Sequence, residues 1–564
     1  MLQAFPFVSS LRGYNKRKFS SDLSAGLTVG ALLVPQGMAY AMIAGLPPVY
    51  GLYAAIFPQL IYTLFGTSRQ LSVGPVAMDS LLVATSISTL AEIGSEYYIS
   101  LAIMMAAIMG MVQLIMGMMR LGFLVNFMSR PVMSGFTSAA ALIIGFSQLR
   151  HLLDLDIPRS KYIHEIMHYA LIHIAYIGWL NFWIGIFGIV FILMLKKYDQ
   201  RFPAGIVLII LTTVLTYYLS SYEIVLPHIG VIPTGLPSFQ LPQITVQLLR
   251  SMSPMATTIA LIAFIEAYSV SFAIQRKHSS DYQILPNREL IALGLANIIS
   301  SAMHCYPTSG GFGRSAVNDN AGAQTVVASW ISAAFVLITL LFLTPIFFYL
   351  PKVTLASLIM VAVWGLVDYT LPRQLWRVDK SDLAMLLASF LGTLILGIEK
   401  GIAIGVGLSL VTLIYKTSEP HTAWLGKVQG TNYYRNLMRY KDAIDLPTVS
   451  ILRFDARLYF ANVNALKLKI EEEINRKPSL QTLILDAQSI SDIDSTGLSG
   501  LLEIKDMLDK SGINFKMVSL IGPVRDKLER AGVRKALGSD NFAPSIDDAL
   551  GTTTSKLRFQ TEDT

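Results

Sequence analysis

Two short stretches decide how this chain reads: Gln70-Leu71-Ser72-Val73-Gly74-Pro75-Val76-Ala77 and Tyr306-Pro307-Thr308-Ser309-Gly310-Gly311-Phe312-Gly313-Arg314-Ser315. Each lies within a long apolar region, and in each proline and glycine interrupt regular helix. A short apolar segment follows each break, near 75–90 and 312–323. Backbone left open at membrane depth survives only inside protein or beside a cavity. Each break is the third element of its half of the membrane region, and corresponding broken elements point to a substrate site between inverted repeats. A helix beginning at either break presents free N–H groups, and two such ends facing one another make an anion site. The bland alternative is a pair of kinks in ordinary bundle helices.

The surrounding sequence sets the medium. Of 564 residues 53% are hydrophobic and 14% charged, against about 25% charged in a typical soluble domain. From about Ser24 to Lys416 apolar stretches recur near 24–44, 47–65, 98–118, 131–149, 172–195, 203–220, 252–274, 289–303, 325–350, 353–367, 382–398 and 400–415. With the two interrupted segments the expectation is a polytopic all-α membrane domain of about fourteen elements. Charges return at ordinary density from about Lys441. The domain reading is a cytoplasmic N-terminal segment 1–20, a transmembrane transport domain 21–420, a linker 421–440, a cytoplasmic domain 441–550 and a flexible tail 551–564. No cleavable signal peptide is visible, and the basic run Lys16-Arg17-Lys18 before the first span fits a retained cytoplasmic N-terminus. Lys196, Lys197, Arg201, Arg276, Lys277, Arg373–Lys380 and Lys416 read as cytoplasmic too. The loops at 150–170 and 221–250 are then external; Arg150, Arg159 and Lys161 are exceptions, partly offset by Asp154, Asp156 and Glu165. Both termini face the cytoplasm, and the expected location is a cell membrane, read as a bacterial inner membrane.

Several function classes drop out. The formal charge is +7, but the basic residues form no stripe or tract, so nucleic acid is not an expected partner. The single cysteine, Cys305, excludes an intramolecular disulfide and a cysteine metal cluster. His151, His164 and His168 read as loop or interfacial residues. No metal, cofactor or enzymatic activity is expected.

Polar residues inside the apolar spans are the functional candidates. Glu266 sits in Leu261-Ile262-Ala263-Phe264-Ile265-Glu266-Ala267-Tyr268 and should face the protein interior. It either couples transport to an ion or proton, or supports a helix break. Arg314 lies in the first turn of the second short helix, where a cation needs an anion or a carboxylate partner. Asp79 and Asp319 occupy the two short helices and suit first turns. Gln36 and Tyr40, one helical turn apart in Val34-Pro35-Gln36-Gly37-Met38-Ala39-Tyr40, share a face. They either contact an anion or join helices. Beyond the membrane region, strand patterns at 448–456, 483–487 and 514–520 alternate with helical patterns at 462–475, 498–508 and 524–531, which makes a small α/β domain. It carries no phosphate-loop or dinucleotide fingerprint and reads as a regulatory or assembly module. Thr496, just before Gly497 and a helix, is a candidate regulatory phosphorylation site or part of a helix cap.

These residues resemble the sulfate permease family of anion transporters. The resemblance rests on Val34–Tyr40, Gly45-Leu46-Pro47-Pro48-Val49-Tyr50-Gly51-Leu52-Tyr53, Gly66-Thr67-Ser68-Arg69, Ser72–Ala77 and Gly311–Asn318. The C-terminal part is similar to the cytoplasmic domain these transporters share with anti-sigma factor antagonists, through Leu452-Arg453-Phe454-Asp455-Ala456 and Asp492-Ile493-Asp494-Ser495-Thr496-Gly497. The resemblance implies two inverted repeats of about seven segments each, core and gate domains, and a homodimer in the bilayer. It places the anion between the starts of the third and tenth segments. The matching positions are Gln36, Tyr40, Val76, Gly313 and Arg314, with the helix-start neighbours Ala77, Phe312 and Ser315. Glu266 matches the acidic residue of the eighth segment, which is linked to cation or proton coupling. Many relatives carry serine where this chain has Gly311 or Gly313. The expected function is secondary active transport of an inorganic anion, with proton-coupled sulfate uptake first. A sodium-coupled bicarbonate symporter, or a chloride, bicarbonate or sulfate exchanger, is the alternative.

Overall fold

The computed structural model describes residues 6–11, 13–123, 129–157, 163–198, 204–224, 226–243, 245–278, 282–365 and 367–551. Arg159, Lys161, Arg201 and the tail beyond Gly551 lie outside the described residues. The chain divides into two compact units, Met1–Ser409 and Leu410–Thr564.

The first unit is helical. Among its helices are α1 (Lys16–Ile43), α2 (Pro48–Phe65), α3 (Ala77–Ile87), α4 (Glu96–Met118), α5 (Arg130–Ser147), α6 (Trp179–Tyr198), α7 (Ala204–Ser220), α8 (Val246–Gln275), α9 (Pro286–Ser301), α10 (Phe312–Asn320), α11 (Val327–Ile338), α12 (Lys352–Trp364) and α13 (Lys380–Leu396); α14 (Ile398–Ser418) runs across the boundary between the units. Among the described residues, six helical stretches are long and apolar enough to cross a bilayer by length and composition, including α1, α4 and α8; α3, α7 and α12 are shorter apolar helices. The chain is a multi-pass membrane protein.

Local chemistry sets the helix starts. Side-chain oxygens of Asn15, Ser95, Thr245 and Asp379 accept from backbone N–H groups at the starts of α1, α4, α8 and α13. Pro48, Pro131 and Pro286 occupy the first turns of α2, α5 and α9, where the missing N–H does no harm. Close packing needs small residues: a Cβ added to Gly51 of α2 would meet the Gly37 carbonyl oxygen of α1 at 2.0 Å. Only glycine lets the two backbones touch there.

Buried acids join distant segments. The Asp22 carboxylate of α1 accepts from the backbone N–H groups of Gln324 (2.7 Å) and Thr325 (3.1 Å), just ahead of α11. Glu289 of α9 accepts from Tyr62 Oη (2.6 Å), the Thr67 N–H (2.7 Å) and Thr67 Oγ1 (2.5 Å). That bond set fixes Gly66-Thr67-Ser68-Arg69 against α9, so the loop leading into the first break is held by three donors to one fully buried carboxylate.

The second unit is a small α/β domain. Its strands are β3 (Thr422–Val428), β4 (Tyr434–Asn436), β5 (Ala443–Ile444), β6 (Val449–Phe454), β7 (Thr482–Asp486), β8 (Asn514–Val518) and β9 (Phe542–Ala543). The order is β4-β3-β6-β7-β8-β9, with β5 also on β3. Pairs from β6 to β9 are parallel, and β3 is antiparallel to its neighbours. Helices α15 (Val463–Arg476), α16 (Ser495–Lys510) and α17 (Gly522–Arg530) follow β6, β7 and β8. The segment 421–440, expected as a linker, supplies β3 and β4. Ala423 and Leu425 of β3 are buried on one face, and an alternation this short among polar residues is a weak strand signal. Helix α16 begins three residues earlier than its apolar pattern, because Asp494 caps it by accepting from the Gly497 N–H at 2.7 Å.

Candidate functional site

The two breaks come together. Val73-Gly74 and Ser309-Gly310 form an antiparallel two-stranded pair, β1 and β2, with Val73 opposite Gly310 and Gly74 opposite Ser309. Side bonds lock the crossing. The Gly311 N–H donates to the Ser72 carbonyl (3.0 Å), and the Ser72 N–H donates to Ser315 Oγ (2.9 Å). Asn318 Nδ2 donates to the Gln70 carbonyl (3.0 Å), and Ser309 Oγ to the Ala263 carbonyl of α8 (2.8 Å). Asn297 of α9 clamps Thr308 from both sides. Its Oδ1 accepts from the Thr308 N–H (2.9 Å) and hydroxyl (3.1 Å), and its Nδ2 donates to the Thr308 carbonyl (3.0 Å). The open backbone thus has partners inside the protein, as a bilayer demands.

Each short helix starts directly beyond this crossing. Val76 stands at the cap position of α3 and Gly311 at that of α10, and neither provides a side-chain cap bond. The first-turn N–H groups, from Ala77–Asp79 and from Phe312–Arg314, lack intrahelical partners. Two positive dipole ends therefore issue from one crossing.

Arg314 is the cationic group beside them. It is 3% exposed, and its Nη1 donates to the Pro75 carbonyl across the crossing at 2.7 Å. Its Nε and Nη2 are buried without a hydrogen-bond partner among the described residues. A Cβ on Gly311 would lie 2.8 Å from the guanidinium carbon, so glycine there makes room for Arg314. A Cβ on Gly313 would meet nothing within 4 Å. Phe312 and Gly313 are exposed, while Val76, Ala77 and Ser315 are buried. Ser315 faces the crossing: its hydroxyl accepts from Ser72 and donates to the Gly311 carbonyl at 2.7 Å.

Tyr40 of α1 and Glu266 of α8 lie within electrostatic reach of Arg314. Tyr40 is buried, and Glu266 is half-buried with Oε2 buried and unpartnered among the described residues. Gln36 is half-buried one turn before Tyr40. Thr496 is exposed in the first turn of α16. Asp319, expected to suit a first turn, lies instead in the last turn of α10, bonded to Lys277 Nζ (2.8 Å) and His278 Nε2 (2.7 Å). A lysine and a histidine just beyond the end of α8 compensate a carboxylate at a helix terminus that would otherwise disfavour it. A cavity of about 380 Å³ runs along the later turns of α3, between Leu81 and Ile93, and takes in Met42, Gln148, Arg150 and Lys352. None of the expected site residues lines it.

Sequence reasoning missed Asn297, and also Gln113, which accepts from Asn297 Nδ2 at 3.3 Å and donates to the Ala260 carbonyl at 3.3 Å. It missed the hydroxyl pair of Ser80 and Tyr306, 3.1 Å apart. A lone asparagine and a lone glutamine within apolar spans were the available signals.

Comparison with known proteins matches residues 19–389 to the sulfate permease family model and residues 440–549 to the STAS domain model. The chain belongs to the sulfate permease family. That family is one of transporters, not of enzymes, and the membrane protein described here carries out anion transport. Sulfate transporter 4.1, chloroplastic, of Arabidopsis thaliana is 36% identical over 568 residues, which cover 97% of this chain and 82% of the relative. High affinity sulfate transporter 2 of Stylosanthes hamata is 32% identical over 573 residues, covering 97% and 86%. The inward-facing structure of murine Solute Carrier 26 family member A9, an anion transporter, superposes with a TM-score of 0.88 at 26% identity, covering 97% of this chain and 93% of that one. The transmembrane domain of a cyanobacterial bicarbonate transporter, BicA, shares the fold at a TM-score of 0.61 and 20% identity.

Proposed function

We propose that this protein is a secondary active transporter that takes up sulfate with protons across a cell membrane. Its anion sits between the starts of α3 and α10. The observation that carries the reading is the guanidinium of Arg314, buried with two nitrogens unpartnered beside two uncapped helix starts. A dianion accepts from all of these donors, and no neutral substrate uses them as well. The relatives named as sulfate transporters support sulfate as the cargo.

In this reading α1–α14 are two inverted repeats of about seven segments each. The antiparallel pairing of β1 with β2 supports the inversion, since equivalent breaks enter the site from opposite directions. A core bearing α1, α3, α8 and α10 moves relative to a gate, both termini lie in the cytoplasm, and the protein works as a homodimer. The anion-binding set is Gln36, Tyr40, Val76, Ala77, Phe312, Gly313, Arg314 and Ser315. The C-terminal unit regulates or assembles the transporter, with Thr496 open to modification at the start of α16.

Glu266 is the coupling residue. Sulfate entering a cell with a negative interior meets about 2.3 kcal/mol of opposition per net negative charge at 100 mV. A carboxyl that carries a proton inward with the anion offsets that charge and adds the pH gradient as a driving force. The test is reconstitution in liposomes, with labelled sulfate and separately imposed pH and sodium gradients. Uptake should follow the inward proton gradient, and Glu266→Gln should lower accumulation by about tenfold per unit of pH gradient for each proton lost. Uptake that follows sodium and ignores pH defeats this reading.

A further inference from the structure

Among the described residues of the membrane unit, Asp79 is the buried acid with both carboxylate oxygens unpartnered. It lies in the first turn of α3, fully buried, and neither Oδ1 nor Oδ2 has a hydrogen-bond partner among the described residues. Glu289, equally buried, shows what a structural carboxylate looks like here: three donors converge on it. A buried carboxylate left without donors is expensive, and a proton or a bound cation removes the expense. Asp79 is also not the cap of its own helix, because the position before that helix is Val76 and no side-chain bond closes its first turn.

The surroundings name the partner. Helix α3 packs against α1, α4, α5 and α8. From α8, Glu266 lies within electrostatic reach of Asp79. From the second break, Tyr306 does as well, held by Ser80 next to Asp79. From α1, Tyr40 reaches Arg314 and Glu266. The titratable side chains of α4 and α5 are confined to their first turns, at Glu96, Tyr97, Tyr98 and Arg130. Arg314 reaches Glu266, Tyr40 and Tyr306. The cluster thus holds two carboxyls and one guanidinium, with Asp79 Oδ1 and Oδ2, Glu266 Oε2 and Arg314 Nε and Nη2 all buried and unpartnered among the described residues.

We propose that Asp79 is a second proton-carrying site, paired with Glu266, so that one sulfate crosses with two protons. This rests on the proton-coupled reading above and extends it to stoichiometry. With both carboxyls ionised, an arriving dianion meets two negative charges and a single positive one. With both protonated, only the guanidinium and the helix starts face it. Binding of the dianion and binding of the two protons therefore favour one another. The loaded site carries two protons for the two charges of sulfate, so its cargo is neutral. On the inner side both protons leave with the anion, and the empty carboxyls return without it.

The test measures stoichiometry directly. Sulfate accumulation in proteoliposomes is read at equilibrium against imposed pH gradients with the membrane potential clamped at zero, then at a potential negative inside. Each coupled proton multiplies the accumulation ratio by about ten per unit of pH gradient. The wild type should reach about 100-fold at one unit and be indifferent to potential. Asp79→Asn should reach about tenfold and be opposed by the negative interior. Asp79→Glu, which restores a carboxyl, should return to the wild-type slope. Size exclusion and sulfate-for-sulfate exchange establish that each variant is folded. A wild-type slope of one proton, or an unchanged slope in folded Asp79→Asn, overturns the proposal while leaving proton coupling through Glu266 intact. A wild type that accumulates sulfate only on a sodium gradient overturns both. If Asp79→Asn does not fold, the wild-type slope and the Asp79→Glu slope still decide between one proton and two.

Discussion

The starts of α3 and α10 issue from one crossing and are opposite in chemistry. Both follow a proline- and glycine-bearing break, both pair through β1 and β2, and neither has a side-chain cap. Yet the first turn of α10 carries a guanidinium and the first turn of α3 carries a carboxyl. A carboxyl suits a helix start and a guanidinium does not. The arginine, placed against the dipole, adds to the positive field at its helix start. The aspartate sits with the dipole but spends none of its oxygens on the helix's own N–H groups. In the proposed mechanism one half-helix attracts the anion and the other adjusts the charge around it.

The largest expected effect comes from removing the cation. Arg314→Ala should weaken sulfate binding by about 10- to 100-fold, the size of one or more charged hydrogen bonds lost. Isothermal titration on protein that remains monodisperse reads it. Unchanged affinity would mean that the helix starts alone hold the anion, and the contrast between α3 and α10 would lose its functional meaning.

Asn297→Ala attacks the crossing that makes the two ends comparable. It strands the Thr308 N–H and carbonyl, at about 1–3 kcal/mol per unsatisfied group. We expect a lower thermal midpoint and faster hydrogen exchange at Thr308 and Gly310, with weaker sulfate binding as a consequence. A variant that exchanges at the wild-type rate there would show that β1 and β2 hold the break without the clamp.

Gly313→Ser sharpens the comparison within α10. Space around Gly313 is open, whereas a side chain at Gly311 meets the guanidinium. A serine at 313 should fold normally and shift sulfate affinity by less than about tenfold, by adding one hydroxyl near the free N–H groups. Gly311→Ser should be the more damaging of the two, and the same titration ranks them.

The smallest effect is expected at a helix start that is already capped. Asp494 closes the first turn of α16, so Asp494→Ala should destabilise the C-terminal unit by about 1 kcal/mol. Denaturation followed by hydrogen exchange in 495–498 would register it, with sulfate binding unchanged. A loss of binding instead would tie the two units together energetically.

The sequence by itself determined the medium and the two breaks. Long apolar runs with few charges admit only a bilayer, and proline with glycine cannot continue a helix, so these features are written locally. Glu266 and Arg314 stand out as candidates for the same reason, because an ionisable group in an apolar span is expensive unless it is used. The sequence did not reveal which acid is satisfied. As letters Asp22, Asp79 and Glu289 do not declare their partners, and only the fold brings Gln324 and Thr325 to the first, and Tyr62 and Thr67 to the third, while among the described residues it brings no donor to Asp79. Nor could it show that Asp319 ends its helix against Lys277 and His278, or that Asn297 holds Thr308. Helix breaks and membrane spans follow from neighbouring residues along the chain. Whether a buried charge is paired depends on residues tens to hundreds of positions away, and only tertiary packing brings those into hydrogen-bond range.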